Sequence, residues 1–220
     1  TGADAGSDRS AIATLGSLFG IGSAAASAIR LADDFTIPAG EVWTITGANV
    51  FGYQTGATAP SNTAVTIRIL SADPLGLATG AVSVLGGDTT TNVQTSNVFY
   101  GPTAIYRTTA TDTAGTTRRI QQATTAFGPI VLGPGTYWLD FDTTGIAFVP
   151  AITPGSGGPA AVTGNVRQVI GAGTYAAGVD AGSTFAVGVP FQIIGTIVPA
   201  PSSLALLGLG GLVAARRRRS

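Results

Sequence analysis

Residues 63–70 read TAVTIRIL, and this octet decides the fold. Val65, Ile67 and Ile69 alternate with Thr66 and Arg68. Successive side chains of a strand point to opposite faces, so the three branched apolar residues meet a core and Thr66 and Arg68 face away from it. The same period of two governs GTYWLDFD at 135–142, where Tyr137, Leu139 and Phe141 form one face. Trp138, Asp140 and Asp142 form the other, which is expected to point outward into solvent. Trp43, Ile45, Phe51 and Tyr53 share one parity along EVWTITGANVFGYQ at 41–54, which predicts a long strand with one apolar face.

Working outward, comparable runs occur at SAIRLADDFTI (27–37), SNVFYGPTAIYRTTA (96–110), TTRRIQQATT (116–125), GPIVL (128–132), GNVRQVIGA (164–172) and VPFQIIGTIV (189–198). Between the runs lie PAG (38–40), ADPLG (72–76), LGGDTTTN (85–92), TDTAGT (111–116), GPG (133–135) and TPGSGGP (153–159). These supply the Gly and Pro that turns require. The segment AIATLGSLFGIGSAAASAI (11–29) reads as an early strand and loop region. No stretch before the C-terminal tail keeps a helical period, and no repeat stands out. The pattern predicts an all-β chain: a single β-sandwich of jelly-roll type over residues 1–198.

Composition restricts the chemistry. The 220 residues include no Cys, His, Met or Lys, and Glu41 is the one glutamate. Without His, Cys or Lys the familiar nucleophile–base arrangements cannot be assembled, and the usual zinc ligands are missing. The expectation is a protein that is not an enzyme. Four of the 11 arginines stand at Arg216–Arg219, leaving an acidic body with no basic patch for phosphates, so no nucleic-acid partner is expected. Arg118 and Arg119 are adjacent and therefore on opposite faces of a strand.

Candidate sites are few. Trp138, Asp140 and Asp142 on one strand face could contact a sugar through the indole or Ca²⁺ through the carboxylates. A plain polar face is the alternative, and no other cofactor is expected. Asp33 and Asp34 alternate faces and suit a turn cap or a loop hydrogen bond. GIGSAA at 20–25, with Glu41 beyond it, mimics a dinucleotide fingerprint but lacks the following helix.

The tail is unlike the rest. It reads VPAPSSLALLGLGGLVAARRRRS from Val198 to Ser220. Pro199 and Pro201 break any helix upstream, and Ser202 or Ser203 can cap one that follows. Leu204 to Ala215 is an apolar run of about 18 Å as a helix, short of a full membrane span. Arg216–Arg219 then hold that end at the cytoplasmic face.

This arrangement resembles the PEP-CTERM signal of exported proteins in Gram-negative bacteria that make exopolysaccharide. Pro199 and Pro201 match the two prolines of the motif, Ser202 and Ser203 the small polar residues, and Arg216, Arg217, Arg218 and Arg219 the stop. Ala200 departs from the usual Glu. The resemblance implies an exosortase-like membrane protease as partner, transient membrane contact through residues 199–220, and a destination at the cell surface or in the extracellular matrix. The stretch LADDFTIPAGEVWTITGANVFGYQTG (31–56) also looks like β-sandwich domains found ahead of such tails. Three roles are compatible with it: a non-catalytic surface or biofilm-matrix structural protein; a carbohydrate-binding module docking exopolysaccharide through two coplanar exposed aromatics among Trp43, Tyr53, Tyr100, Tyr106 and Trp138; or a filament subunit donating residues 11–23 as a strand.

Overall fold

The computed structural model describes residues 2–4, 7–10, 20–108, 114–152, 163–180 and 185–199. Strands β1 (Gly2–Asp4) and β2 (Ser7–Ser10) come first, followed by β3 (Ile21–Gly22) and a 3-10 turn at Ala25–Ser27. The body runs through β4 (Ile29–Ile37), β5 (Glu41–Gly52), β6 (Ala64–Leu70), β7 (Val84–Gly87), β8 (Gln94–Phe99), β9 (Ala104–Arg107), β10 (Gln121–Thr125) and β11 (Ile130–Leu132). It finishes with β12 (Gly135–Thr144), β13 (Phe148–Val149), β14 (Arg167–Ile170), β15 (Ala176–Ala177) and β16 (Phe191–Pro199). Every predicted strand is present, and no α-helix occurs among the described residues.

Two antiparallel sheets form the sandwich. One has the order β15-β14-β4-β12-β6-β7. In the other, β5 pairs along one side with β16 and along the other with β11 and then β10, which β8 flanks. The Pro-Ala-Gly turn carries the chain from the first sheet to the second: Gly40 sits at φ 89° and the Glu41 amide donates to the Pro38 carbonyl at 3.2 Å. Leu31, Val65, Ile67, Ile69, Leu139 and Phe141 from one sheet meet Ile45, Ala48, Val50 and Ala123 from the other in one buried cluster. These are the inward positions that alternation predicts for 63–70 and 135–142.

Alternation fails in β5. Its pairing with β16 shifts between Ile194 and Gly195, which lie opposite Gly47 and Ile45, so Thr46 is an extra residue. One inserted residue exchanges the faces of everything beyond it. Trp43 and Ile45 therefore serve the main core, whereas Phe51 and Tyr53 turn to the opposite face and join Ile120, Tyr100 and Ile105 in a separate cluster. The four residues do not share one face.

One loop position requires glycine. Gly145, after β12, sits at φ +101°, and a Cβ there would lie 2.0 Å from the Ser61 carbonyl oxygen. Gly145→Ala is expected to cost about 2–3 kcal/mol, since strained φ and backbone overlap both act. Urea unfolding measures it.

Candidate functional site

The candidate residues Trp138, Asp140 and Asp142 stand together on the face of β12 that looks away from the main core. That face is not solvated. Trp138 is 5% exposed, Asp140 0% and Asp142 8%. The outward, solvent-facing expectation is corrected here: the face is right and the exposure is wrong, because chain segments close over it. Leu75 and Ala78 bridge to Tyr175 and Thr174, and Val82 packs on Ala32, Leu70, Trp138, Val169 and Tyr175.

Beneath this cover the carboxylates meet two arginines. Antiparallel register sets Asp140 opposite Arg68 on β6 and Ala32 on β4. Arg68 donates from Nε to Asp140 Oδ2 at 2.6 Å and from Nη1 to the Thr79 carbonyl at 2.7 Å. Arg30 donates from Nε to Asp140 Oδ1 at 3.2 Å and from Nη1 to Asp142 Oδ2 at 2.5 Å. Thr66 accepts from Arg30 at 2.6 Å and donates to Asp142 at 2.9 Å. Tyr175 donates its hydroxyl to Asp140 Oδ1 at 2.9 Å and accepts from Arg68 Nη2 at 3.0 Å.

Two cations and two anions thus cancel in a buried cluster, as buried charges must. Burial works against the Arg30 charge, but Asp140 and Asp142 outweigh it and raise its pKa. Burial, together with the Asp140 charge, also pushes the Tyr175 phenol well above its usual value. Arg167 holds the cover: its guanidinium lies 5.2 Å from the Trp138 ring centroid and binds Asp73 at 2.8 and 2.6 Å. The sequence marks neither Arg30 nor Arg68 nor Tyr175 as a partner. The one available signal is that Arg68 and Asp140 both fall on outward positions of their strands.

This arrangement is a structural ion cluster. Its carboxylates are turned to guanidinium groups, and the Trp138 ring offers no open face for a sugar. Among the described residues no three carboxylates come together. Of the other four aromatics, Tyr106 is half-buried on β9, and the remaining three are engaged within the chain. Tyr53 is 1% exposed, Trp43 stacks on Phe35 at 6.3 Å, and Tyr100 meets Phe51 edge-on at 4.9 Å.

Asp33 lies on the core side of β4, and Asp34 on the other. Asp33 accepts the Val189 amide at 2.7 Å and the Asp34 amide at 3.0 Å. Burial pushes its carboxyl up to about 7, even though both hydrogen bonds favour the ionised form. Its role is to hold the loop that enters β16.

A groove of about 650 Å³ opens beside β7, lined by Leu85, Asp88, Asn92, Gln94, Phe127 and Ile130. Asp88 is engaged within its own turn, accepting the Thr90 and Thr91 amides at 2.7 and 2.6 Å.

The tail leaves from β16, an outer strand of its sheet. It pairs with β5 through nine positions, ending with Val198 opposite Val42 and Pro199 opposite Glu41. Strand pairing thus runs one residue past the expected boundary at 198. Its end is open to solvent, Ile197 being 59% and Val198 54% exposed. Ala200, Pro201, Ser202, Ser203, the apolar run and Arg216–Arg219 lie outside the described residues, as do residues 11–19 of the strand proposed for donation. Ile21 and Gly22 of that segment pair within the chain, with Val149 and Phe148.

Fold and exit strand together define a class: a β-sandwich that passes a separate address segment out of its last strand. That segment is a PEP-CTERM protein-sorting motif, matched over residues 198–219. The motif marks an exported protein that is sorted by an exosortase, a membrane protein, to the cell surface or extracellular space of a bacterium. Comparison with curated proteins and with solved structures returns no match.

Proposed function

We propose that this is a non-catalytic structural protein of the cell surface or extracellular matrix of a Gram-negative bacterium. The observation that supports it is the state of its ionic side chains: Arg30, Arg68, Asp140 and Asp142 bind one another under a closed cover. What could have been a reactive or ligand-binding cluster serves the sandwich. No Ca²⁺ is needed, so the melting temperature should be the same in excess Ca²⁺ and in chelator. Purified domain should hydrolyse neither polysaccharide nor ester substrates.

The test is expression of the full chain in a bacterium that supplies the matching exosortase. The surface-derived protein should lack Arg216–Arg219 by intact mass, and deletion of residues 199–220 should abolish surface retention. Recovery of the chain through Ser220 overturns the sorting role. Ala200→Glu should speed processing.

A second reading, docking of exopolysaccharide, is favoured by the groove beside β7, where Phe127 and Ile130 line an opening of about 650 Å³ whose Asn92 and Gln94 amides are already bonded within the chain. A glycan array on residues 1–198, with and without Ca²⁺, separates the two: binding lost on Phe127→Ala would support the groove.

A further inference from the structure

The sorting motif and the folded domain share residues. The motif begins at 198, and Val198 and Pro199 are the last two positions of β16, paired with Val42 and Glu41 of β5. There is no spacer between sandwich and address. We propose that the sorting protease can process this chain only after the end of β16 peels away from β5, so that fraying of this strand sets the processing rate. The proposal rests on the sorting role stated above.

Three observations carry it. First, a protease binds its substrate as an extended segment with residues on both sides of the scissile bond, and a segment held in a sheet reaches an active site only through local opening. Up to and including the first proline that segment is Gly195–Pro199, all of it paired with β5. Second, the end of β16 is built to open. Gly195, Thr196, Ile197, Val198 and Pro199 are all exposed, whereas Phe191 and Ile193 further up pack on the main core. The bulge between Ile194 and Gly195 divides the two halves. Third, nothing clamps the open half from outside. Among the described residues β16 pairs with β5 alone and its lower five residues make no side-chain hydrogen bond, in contrast to Asn49–Gln192 at 3.1 Å in the upper half.

Opening therefore stops at the bulge and leaves the core intact. Cleavage then transfers the acyl carbon of the scissile bond to water or to an acceptor amine. The departing tail carries the new amino terminus, and the shortened strand can close again on β5.

A cross-link tests this, and the chain has no cysteine to interfere. Val42→Cys with Val198→Cys places two thiols on directly opposed residues, a separation a disulfide can span. Thr44→Cys with Thr196→Cys is the second pair, should the first fail to oxidise or fold. In the exported compartment the oxidised variants should be processed at least about tenfold more slowly than wild type, and reduction should restore the rate. A four-residue Gly-Ser insertion between Ile197 and Val198 should make processing indifferent to the Thr44–Thr196 cross-link. Oxidised variants processed at the wild-type rate overturn the fraying requirement and leave sorting standing. A wild-type chain that is never processed overturns the sorting role itself.

Discussion

Asp140→Asn will destabilise the domain by about 3–5 kcal/mol, the cost typical of removing one partner from a buried ion pair. Asp140 is fully buried and accepts from Arg30, Arg68 and Tyr175. An asparagine of nearly the same volume keeps the packing but leaves a single carboxylate, Asp142, for two guanidinium groups. For a domain of this size the melting temperature should fall by roughly 6–20 °C. The double change Arg68→Met with Asp140→Leu should cost less than Asp140→Asn alone. It removes one cation with one anion and leaves Arg30 on Asp142, 2.5 Å away. Urea unfolding of the single and double variants decides the matter, and a double variant worse than the single would show that the charges are not what the cluster balances.

How far this cluster was legible in the sequence follows from what alternation can carry. Period two assigns faces, so Val65, Ile67, Ile69, Leu139 and Phe141 could be placed in the core, and Asp140 and Asp142 on the reverse side. It says nothing of what lies over the reverse side. The cover comes from residues near 75–82 and 174–175, loop segments with no periodic pattern, and Tyr175 reaches Asp140 only once both loops have closed. Nor does it give register, and the Arg68–Asp140 pairing is a matter of register. In β5 the loss has a different cause. A bulge is a pairing event, and Thr46 looks like any other strand residue until β16 is laid beside it; Gly47, whose added Cβ would lie 2.1 Å from the Thr125 carbonyl, is the nearest thing to a mark. The address segment was readable because its composition, and not its packing, carries the information. β7 (Val84–Gly87), by contrast, falls partly in LGGDTTTN, where glycines signal a loop. Its Gly86 makes room for Ile130, for a Cβ there would come within 2.4 Å of that side chain.

Asp33 gives the second large effect, read as a function of pH. Its carboxyl sits at about 7 in the folded protein against 3.8 ordinarily, chiefly because burial disfavours the charge. The folded state therefore binds a proton that the unfolded state has already lost between these values. Stability must fall as pH rises through that window and level off above it. At 1.36 kcal/mol per unit, the full loss is about 4 kcal/mol. The Arg167–Asp73 pair acts oppositely and elsewhere. Burial of Asp73 is outweighed by its bond to Arg167, which lowers its pKa, so its contribution is lost only as pH drops below the ordinary carboxylate range. Between pH 5 and 8 the slope belongs to Asp33. Asp33→Asn keeps an oxygen for the Val189 amide and removes the titration, so its stability should be flat across that range. If the variant matches wild type near pH 5, it should exceed it by about 3 kcal/mol at pH 8, the part of the loss that falls above pH 5. Urea unfolding at four or five pH values tests this. A wild-type profile as flat as the variant's would mean that Asp33 ionises inside the sandwich at no cost, its two amide donors having fully replaced water.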